Sequence, residues 1–456
     1  MNSVGTMQLA LFPFEQEKPA TNGSFVAKGE ELGTFKDSLR APIHRWFKYP
    51  AGYSYKFVEV GFELFEVKSG DWVYDPFSGS GTTILCAKQK GINAYGVEAH
   101  SFVHWVADVK LYWEFNLEYL NQQIEHLLTK SRAFVRQQIQ DINIAGVFPE
   151  LIYKCYHPQD LKTLYLLREF IQNQIEDQYI QNLFSLALTD TLRNAADART
   201  GWPYVAPRKD NQEMPLKDGF TIFQKMVRQM YSDLQTVQAA TQSVPPCEIY
   251  NVSGDSRQRQ NLADNQVKLA LTSPPYLNNY DYADRTRLET YFWGITQSWQ
   301  DISRNFRDKL IVAATTQVNR SKYQVETAVS SEIKEISPQV YNFLQESVLE
   351  LAQRRLQKGG KKDYDLMVAL YFNDLVPVIK ETYRVLEPDG HFCLVLGDSA
   401  PYGVHIQTDQ VIGQLGLGLG FRDFKYEELR QRGGKWKENP QRHNVPLREG
   451  VVILTK

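Results

Sequence analysis

Apolar positions along the chain alternate between short continuous runs, which suit buried strands, and stretches spaced by three and four, which suit helices. From Trp72, WVYDPF reads as a short buried strand, TTILCAKQK as a helix and INAYGVE as a second strand, which together make a βαβ unit. Between Tyr112 and about Thr241 the segments LEYLNQQIEHLL, LKTLYLLREFIQNQI and FTIFQKMVRQMYSDL all carry the helical spacing, so this stretch is an insertion and not more sheet. Strand signals return at CEIYNVS and VKLALTS, and a further helical segment, YNFLQESVLELAQRRL, runs into the glycine break Gly359-Gly360. Residues 366 to 387 suit a helix closed by Pro388-Asp389-Gly390. HFCLVLG, FRDFKYEEL and VVILTK then suit three strands.

This alternation around two helical insertions predicts an α/β fold with a doubly wound, Rossmann-like sheet. The chain divides into an N-terminal arm (1–38), polar and without sustained period, a first sheet part (39–115), a helical insertion (116–244), a second sheet part (245–299), a second helical insertion (300–362) and a third sheet part (363–456). It contains no internal repeat.

Composition narrows the function. At 43% hydrophobic and 23% charged residues the chain is globular and not disordered. No run approaches the roughly 18 apolar residues of a membrane span, and the N-terminus lacks a basic stretch before its short apolar one, so a cytoplasmic protein is expected. Cys86, Cys155, Cys247 and Cys393 lie far apart with no CxxC pair, which points to reduced thiols and to neither a disulfide framework nor a metal site. A net charge of -2 gives no global attraction to polyanions, so nucleic-acid binding would need local clusters. Two exist, Arg354, Arg355, Lys358, Lys361 and Lys362, and Arg430, Arg432, Lys435, Lys437 and Arg442 around Trp436; either also reads as a solvated surface loop.

DPFSGSGTT, residues 75 to 83, sits where a predicted strand ends and a helix begins, the place where open α/β sheets bind ligands. Gly79 and Gly81 allow close backbone approach, and the helix beginning near Thr82 presents unpaired amides to a ligand carboxylate. The second strand ends in Glu98, whose carboxylate can accept two hydrogen bonds from ribose hydroxyls. Ile84 stands where a dinucleotide fingerprint needs its third glycine, and no P-loop lysine follows, so both phosphate-binding readings lose ground. Asp255, beyond the strand EIYNV, reads either as an acceptor for an adenine amino group or as a turn residue.

The second motif is VKLALTSPPY, a strand running into Ser273-Pro274-Pro275-Tyr276. Pro275 holds residue 274 extended, which leaves the Pro274 carbonyl beside the Ser273 hydroxyl as two convergent acceptors. An exocyclic amine on a base is a poor nucleophile because its lone pair is delocalised, so acceptors that hold both hydrogens are what it needs. Tyr276 offers a face for stacking, worth ~1 to 3 kcal/mol per base. A base inside a duplex cannot reach such a pocket, so flipping is implied. Pro245-Pro246-Cys247 resembles the nucleophile of carbon-5 cytosine methylation, but it precedes a strand where a nucleophile belongs beyond one.

On these residues the chain resembles the amino-directed DNA methyltransferases, which modify N4 of cytosine or N6 of adenine. DPFSGSGTT is similar to their S-adenosylmethionine loop and TSPPY to their catalytic motif, with the loop about 190 residues before the motif. The resemblance implies that Asp75, Phe77, Gly79, Gly81, Thr82 and Thr83 line the cofactor site, that Tyr49 lies in the preceding segment against the methionine part, that Glu98 holds the ribose and that Asp255 lies near the adenine. Ser273, Pro274, Pro275 and Tyr276 would form the target pocket, and serine at 273 implies cytosine N4, with direct in-line transfer to a flipped base. The alternatives are adenine N6, an RNA base, or a non-catalytic nucleic-acid-binding protein on the same fold. Implied partners are double-stranded DNA and a cognate restriction endonuclease or other defence-system protein. Residues 116 to 244 are the candidate target-recognition region, alone or together with residues 300 to 362. There Arg193, Arg199, Arg208 and Lys209, interleaved with Trp202 and Tyr204, read either as phosphate and base contacts or as a charged helical scaffold.

Overall fold

The computed structural model describes residues 23–26, 32, 36–49, 52–199, 205–207, 213–357, 361–432 and 445–456. Among these, seven strands form one sheet: β1 (Trp72–Asp75), β2 (Asn93–Glu98), β3 (Ile249–Ser253), β4 (Val267–Thr272), β5 (Leu386–Gly397), β6 (Asp423–Arg432) and β7 (Leu447–Thr455). Their order is β3-β2-β1-β4-β5-β7-β6. The first five are parallel to their neighbours, and β7 enters antiparallel between β5 and β6. From β1 the chain moves outward through β2 and β3, then returns to β1's other side as β4. Strand order therefore reverses between β1 and β4, and the carboxyl ends of these two strands open the crevice in which such folds bind ligands.

The two-residue period of the strands assigns each face its own core. Val73, Leu269, Leu271 and Val395 pack with Phe57 and Val58 of α1 (Tyr55–Leu64) and Ile84 of α2 (Thr82–Gln89). Their neighbours Tyr74, Ala270, Leu394 and Leu396 face the other way, onto α8 (Pro338–Leu356) and α9 (Tyr364–Val385) through Leu344, Phe372 and Val376. With both faces covered, the strands read as nearly continuous apolar runs.

Four long helices, α4 (Leu117–Gln138), α5 (Pro158–Gln174), α6 (Gln178–Ala195) and α7 (Gly219–Thr241), form a body built on α3 (Ser101–Leu111). Asn116, His157, Asp177 and Asp218 each cap their first turn with a side-chain acceptor, which fixes where they begin. Leu120, Leu167, Phe184 and Phe223 share one buried cluster with Phe102 and Val106 of α3 and with Leu288 and Phe292.

Two expectations differ from the structure. Pro388-Asp389-Gly390 does not separate helix from strand: α9 ends at Val385 and β5 begins at once, with Leu386 opposite Val267. The register then jumps to His391 opposite Leu269, and Asp389 takes a left-handed φ of 63°. The turn-like triplet is thus a bulge inside the strand, because pairing with β4 resumes on its far side. Within the stretch read as an arm, Phe25 is fully buried and stacks on Phe57 at 4.5 Å, while Ser24 Oγ and Phe25 N–H donate to the Glu427 carboxylate at 2.9 and 2.7 Å. A single aromatic anchor carries no period, so the pattern could not reveal it. Among the described residues no helix is long and apolar enough to cross a membrane.

Candidate active site

The loop after β1 is folded by its own chemistry. Asp75 is fully buried and accepts hydrogen bonds from Thr272 Oγ1 (2.6 Å), Tyr53 Oη (3.0 Å) and the Phe77 N–H (3.0 Å). Burial pushes its carboxyl above the usual range, opposed by these donors. It clamps the end of β1 to the end of β4. Thr83 Oγ1 bonds the Tyr53 hydroxyl and reaches the Leu271 carbonyl at 3.4 Å, which ties the start of α2 to β4 as well.

Two left-handed glycines shape the turn from this loop into α2. Gly79 has φ 52°, and a Cβ there would lie 3.5 Å from the Tyr49 ring. Gly81 has φ 87°, and a Cβ would press on Ala107 at 3.2 Å. The first turn of α2 has no side-chain cap, so its amides are offered to a ligand. Glu98 closes the loop from β2: its Oε2 accepts the Gly79 N–H at 2.9 Å and its Oε1 the His100 N–H at 2.7 Å. It borders the cleft between the two motifs with 9% of its surface exposed. Burial raises its pKa to about 7, against those two bonds, which pull it down. The floor of the loop is Lys110, buried to 1%, whose Nζ donates to the Ser80 and His44 carbonyls at 3.3 Å. Burial lowers that amine to about 7.

At the end of β4, Pro274 is buried while Ser273, Pro275 and Tyr276 are half-buried. The motif is held from behind. The Pro275 carbonyl accepts the Tyr371 hydroxyl at 2.9 Å, and the Tyr276 N–H donates to Tyr282 Oη at 3.0 Å. Burial and the nearby Glu449 raise the Tyr276 phenol, whereas Arg432 and the Ser273 hydroxyl act against the rise.

One cleft joins the two motifs. It is partly open to solvent, and its walls include Tyr49, Phe77, Gly79, Thr82, Glu98, Asp255, Ser273 and Pro275. Asp75, Gly81, Thr83, Pro274 and Tyr276 are not in its wall; Asp75 and Thr83 tie the loop to β4 through Thr272 and the Leu271 carbonyl. Asp255 borders the cleft with its carboxylate already engaged by Arg257, at 2.9 Å from both Nε and Nη2. Arg257 also reaches Asp374 at 2.8 Å and the Lys309 carbonyl at 3.2 Å. Those contacts fix a wall that the sequence did not reveal, Lys309-Leu310-Ile311 from the second insertion, joined there by Tyr282. Cys247 lies before β3, at the sheet's opposite end.

The helical body corrects one candidate contact. Arg193 does not face outward. Its guanidinium pairs with the fully buried Glu289, donates to the carbonyls of Lys48 (2.8 Å) and Arg285 (3.1 Å), and lies 5.0 Å over the Phe47 ring. It locks α6 to the segments beside the cleft. Arg193→Ala is therefore expected to cost about 3 to 5 kcal/mol of stability by leaving a buried carboxylate unpaired. Chemical denaturation would read this as a lower midpoint. In the first basic cluster Arg354 bonds Glu350 at 2.6 Å and Arg355 pairs with Asp363 at 3.0 Å, so both are structural. The Arg199 side chain, Trp202, Tyr204, Arg208, Lys209, Lys358, Lys435, Trp436, Lys437 and Arg442 lie outside the described residues.

Comparison with known proteins agrees with this geometry. Residues 28–108, which hold the loop and Glu98, match the family described as DNA methylase of the N6 and N4 type. The type II methyltransferase M.BsoBI of Geobacillus stearothermophilus is 25% identical over 454 residues, covering 93% of this chain and 88% of that protein. M.AvaI of a Nostoc strain is 23% identical, covering 93% and 89%, and M.MvaI of Kocuria varians is 21% identical, covering 93% of each. All three are named type II methyltransferases, and the similarity runs through the helical body as well as the sheet. The sheet order, the loop after β1 and the SPPY motif after β4 fit the same similarity, and together these findings support a member of the amino-directed, N6/N4 DNA methyltransferases.

Proposed function

We propose that the protein is a site-specific DNA methyltransferase that transfers a methyl group from S-adenosylmethionine to the exocyclic N4 amino group of cytosine. The observation that carries this reading is the single cleft walled by the glycine loop, Glu98 and Ser273-Pro275.

S-adenosylmethionine fits what lines that cleft. Glu98 borders it and would accept from two ribose hydroxyls, and Phe77 and Ile311 supply apolar surface for the adenine. The uncapped start of α2 suits the methionine carboxylate. Ser78, in the cleft wall, has a buried Oγ with no hydrogen-bond partner among the described residues. When bound, the cofactor supplies a methyl group already activated by its sulfonium. The protein's own task is then positioning. Ser273 and the Pro274 carbonyl hold the amine hydrogens, Tyr276 stacks the base, and the cleft walls exclude water. Transfer would be direct, without a bond between base and protein: the N–CH3 bond forms as the S–CH3 bond breaks, the sulfur leaves as a neutral thioether, and the amine's surplus proton passes to water after transfer.

Double-stranded DNA is the substrate in this reading, with the body of residues 116–244 as its target-recognition region. The names of the type II relatives make a cognate restriction endonuclease the candidate partner. Purified protein incubated with unmethylated plasmid DNA and labelled S-adenosylmethionine is expected to yield N4-methylcytosine on nucleoside mass spectrometry. N6-methyladenine in its place would move the target to adenine, and label entering RNA alone would reject DNA as substrate.

A further inference from the structure

Arg432, the last residue of β6, lies on the catalytic motif although nothing in the sequence links them. Its guanidinium stands over the Tyr276 ring, with Cζ 5.4 Å from the centroid. To get there the side chain passes across β7 to β5, where a Cβ on Gly397 would collide with Nη1. Glycine at the end of β5 is what admits the guanidinium. Nε faces Glu449 of β7 at 3.5 Å, and that buried carboxylate is also held by Arg430 at 2.7 Å. Nη1 is buried and has no hydrogen-bond partner among the described residues. Buried donors are almost always paired, so an anchored guanidinium with one nitrogen, Nη1, left unpaired and set on a stacking tyrosine is arranged for a ligand that brings acceptors.

We propose that Arg432 reads the flipped base, donating to the adjacent N3 and O2 acceptors of a cytosine stacked on Tyr276. The inference rests on the proposed function and adds a specificity determinant to it. Cytosine carries two neighbouring acceptors beside its amino carbon, which suits the planar fork of a guanidinium. Adenine carries N1 beside a C2–H at the same edge, so one donor would meet a carbon-bound hydrogen. The contact thus favours cytosine and rejects adenine.

The test compares wild type with Arg432→Met, Arg432→Lys and Gly397→Ala. Methyl transfer to unmethylated plasmid DNA is followed by nucleoside mass spectrometry, with S-adenosylmethionine binding by calorimetry as the check on an intact fold. Arg432→Met is expected to bind the cofactor as wild type does, yet to lose roughly 10- to 100-fold in kcat/KM for cytosine, the range for one bidentate base contact. Its yield of N6-methyladenine relative to N4-methylcytosine rises. Gly397→Ala, which displaces the guanidinium but keeps its charge, shows the same loss, and Arg432→Lys recovers only part. Cytosine methylation at the wild-type rate in Arg432→Met overturns this assignment alone. So does a rise in KM for DNA with kcat kept, which marks a phosphate contact, or loss of cofactor binding, which marks a structural role. A wild-type enzyme that methylates adenine overturns the cytosine reading and this inference with it.

Discussion

Pro274→Ala and Tyr276→Ala are expected to retain S-adenosylmethionine binding and lose most of the methyl-transfer rate. Neither side chain is in the wall of the cleft proposed to hold the cofactor, so affinity measured by calorimetry should stay near wild type. The proline ring fixes φ at 274, and the segment is pinned on its far side by Tyr371 on the Pro275 carbonyl and Tyr282 on the Tyr276 N–H. Without the ring the carbonyl gains freedom at the point where it must meet an amine hydrogen. A displacement on the order of 1 Å costs roughly 100-fold in rate. Removing the Tyr276 ring deletes a stacking face worth ~1 to 3 kcal/mol, about 5- to 150-fold. Single-turnover rates at saturating cofactor would separate this loss from any change in binding. Wild-type rates in both variants would reject SPPY as the target site.

The parts of this site that could be read from the chain are those whose chemistry is local. The glycine loop, Glu98 and SPPY each lie at a strand end, and a strand buried on both faces announces itself as an apolar run. Gly79, Glu98, Ser273 and Pro275 all border the one cleft, as two motifs of one enzyme require. The illegible parts depend on distant partners. Lys309-Leu310-Ile311 has no period to detect, being a short 3-10 turn and the extended residues after it, and it becomes a wall only through Arg257 and through Asp374, which accepts the Val312 N–H at 2.9 Å. Arg193 sits in a basic and aromatic stretch that looks the same whether it faces phosphate or a buried Glu289 far along the chain. Lys110 is one lysine in a short helix until its burial under Ser80 is known. Pro388-Asp389-Gly390 has the composition of a turn, and only the pairing of Leu386 with β4 turns it into a bulge.

Glu98 should make cofactor binding depend on pH. Its carboxyl is shifted up to about 7 by burial, so near neutrality a large fraction is protonated in the free protein. Only the ionised form can accept from both ribose hydroxyls while holding Gly79 and His100. Affinity is therefore expected to tighten as pH rises from 6 to 8. Stability of the free protein moves the other way over a wider window. Because the folded pKa lies above the ordinary carboxylate value, the folded state binds the proton more tightly than the unfolded chain. This group's contribution is then present in full below about pH 4.5 and is lost as pH rises to about 7. Glu98→Ala should abolish the pH dependence of binding and weaken S-adenosylmethionine by roughly 100-fold, two charge-assisted hydrogen bonds at about 1.5 kcal/mol each. Calorimetry at pH 6, 7 and 8 on both proteins reads the two effects together. An affinity in the native protein that does not change over this range, or an alanine variant that binds as tightly, would remove Glu98 from the ribose site and leave it as a brace for the loop.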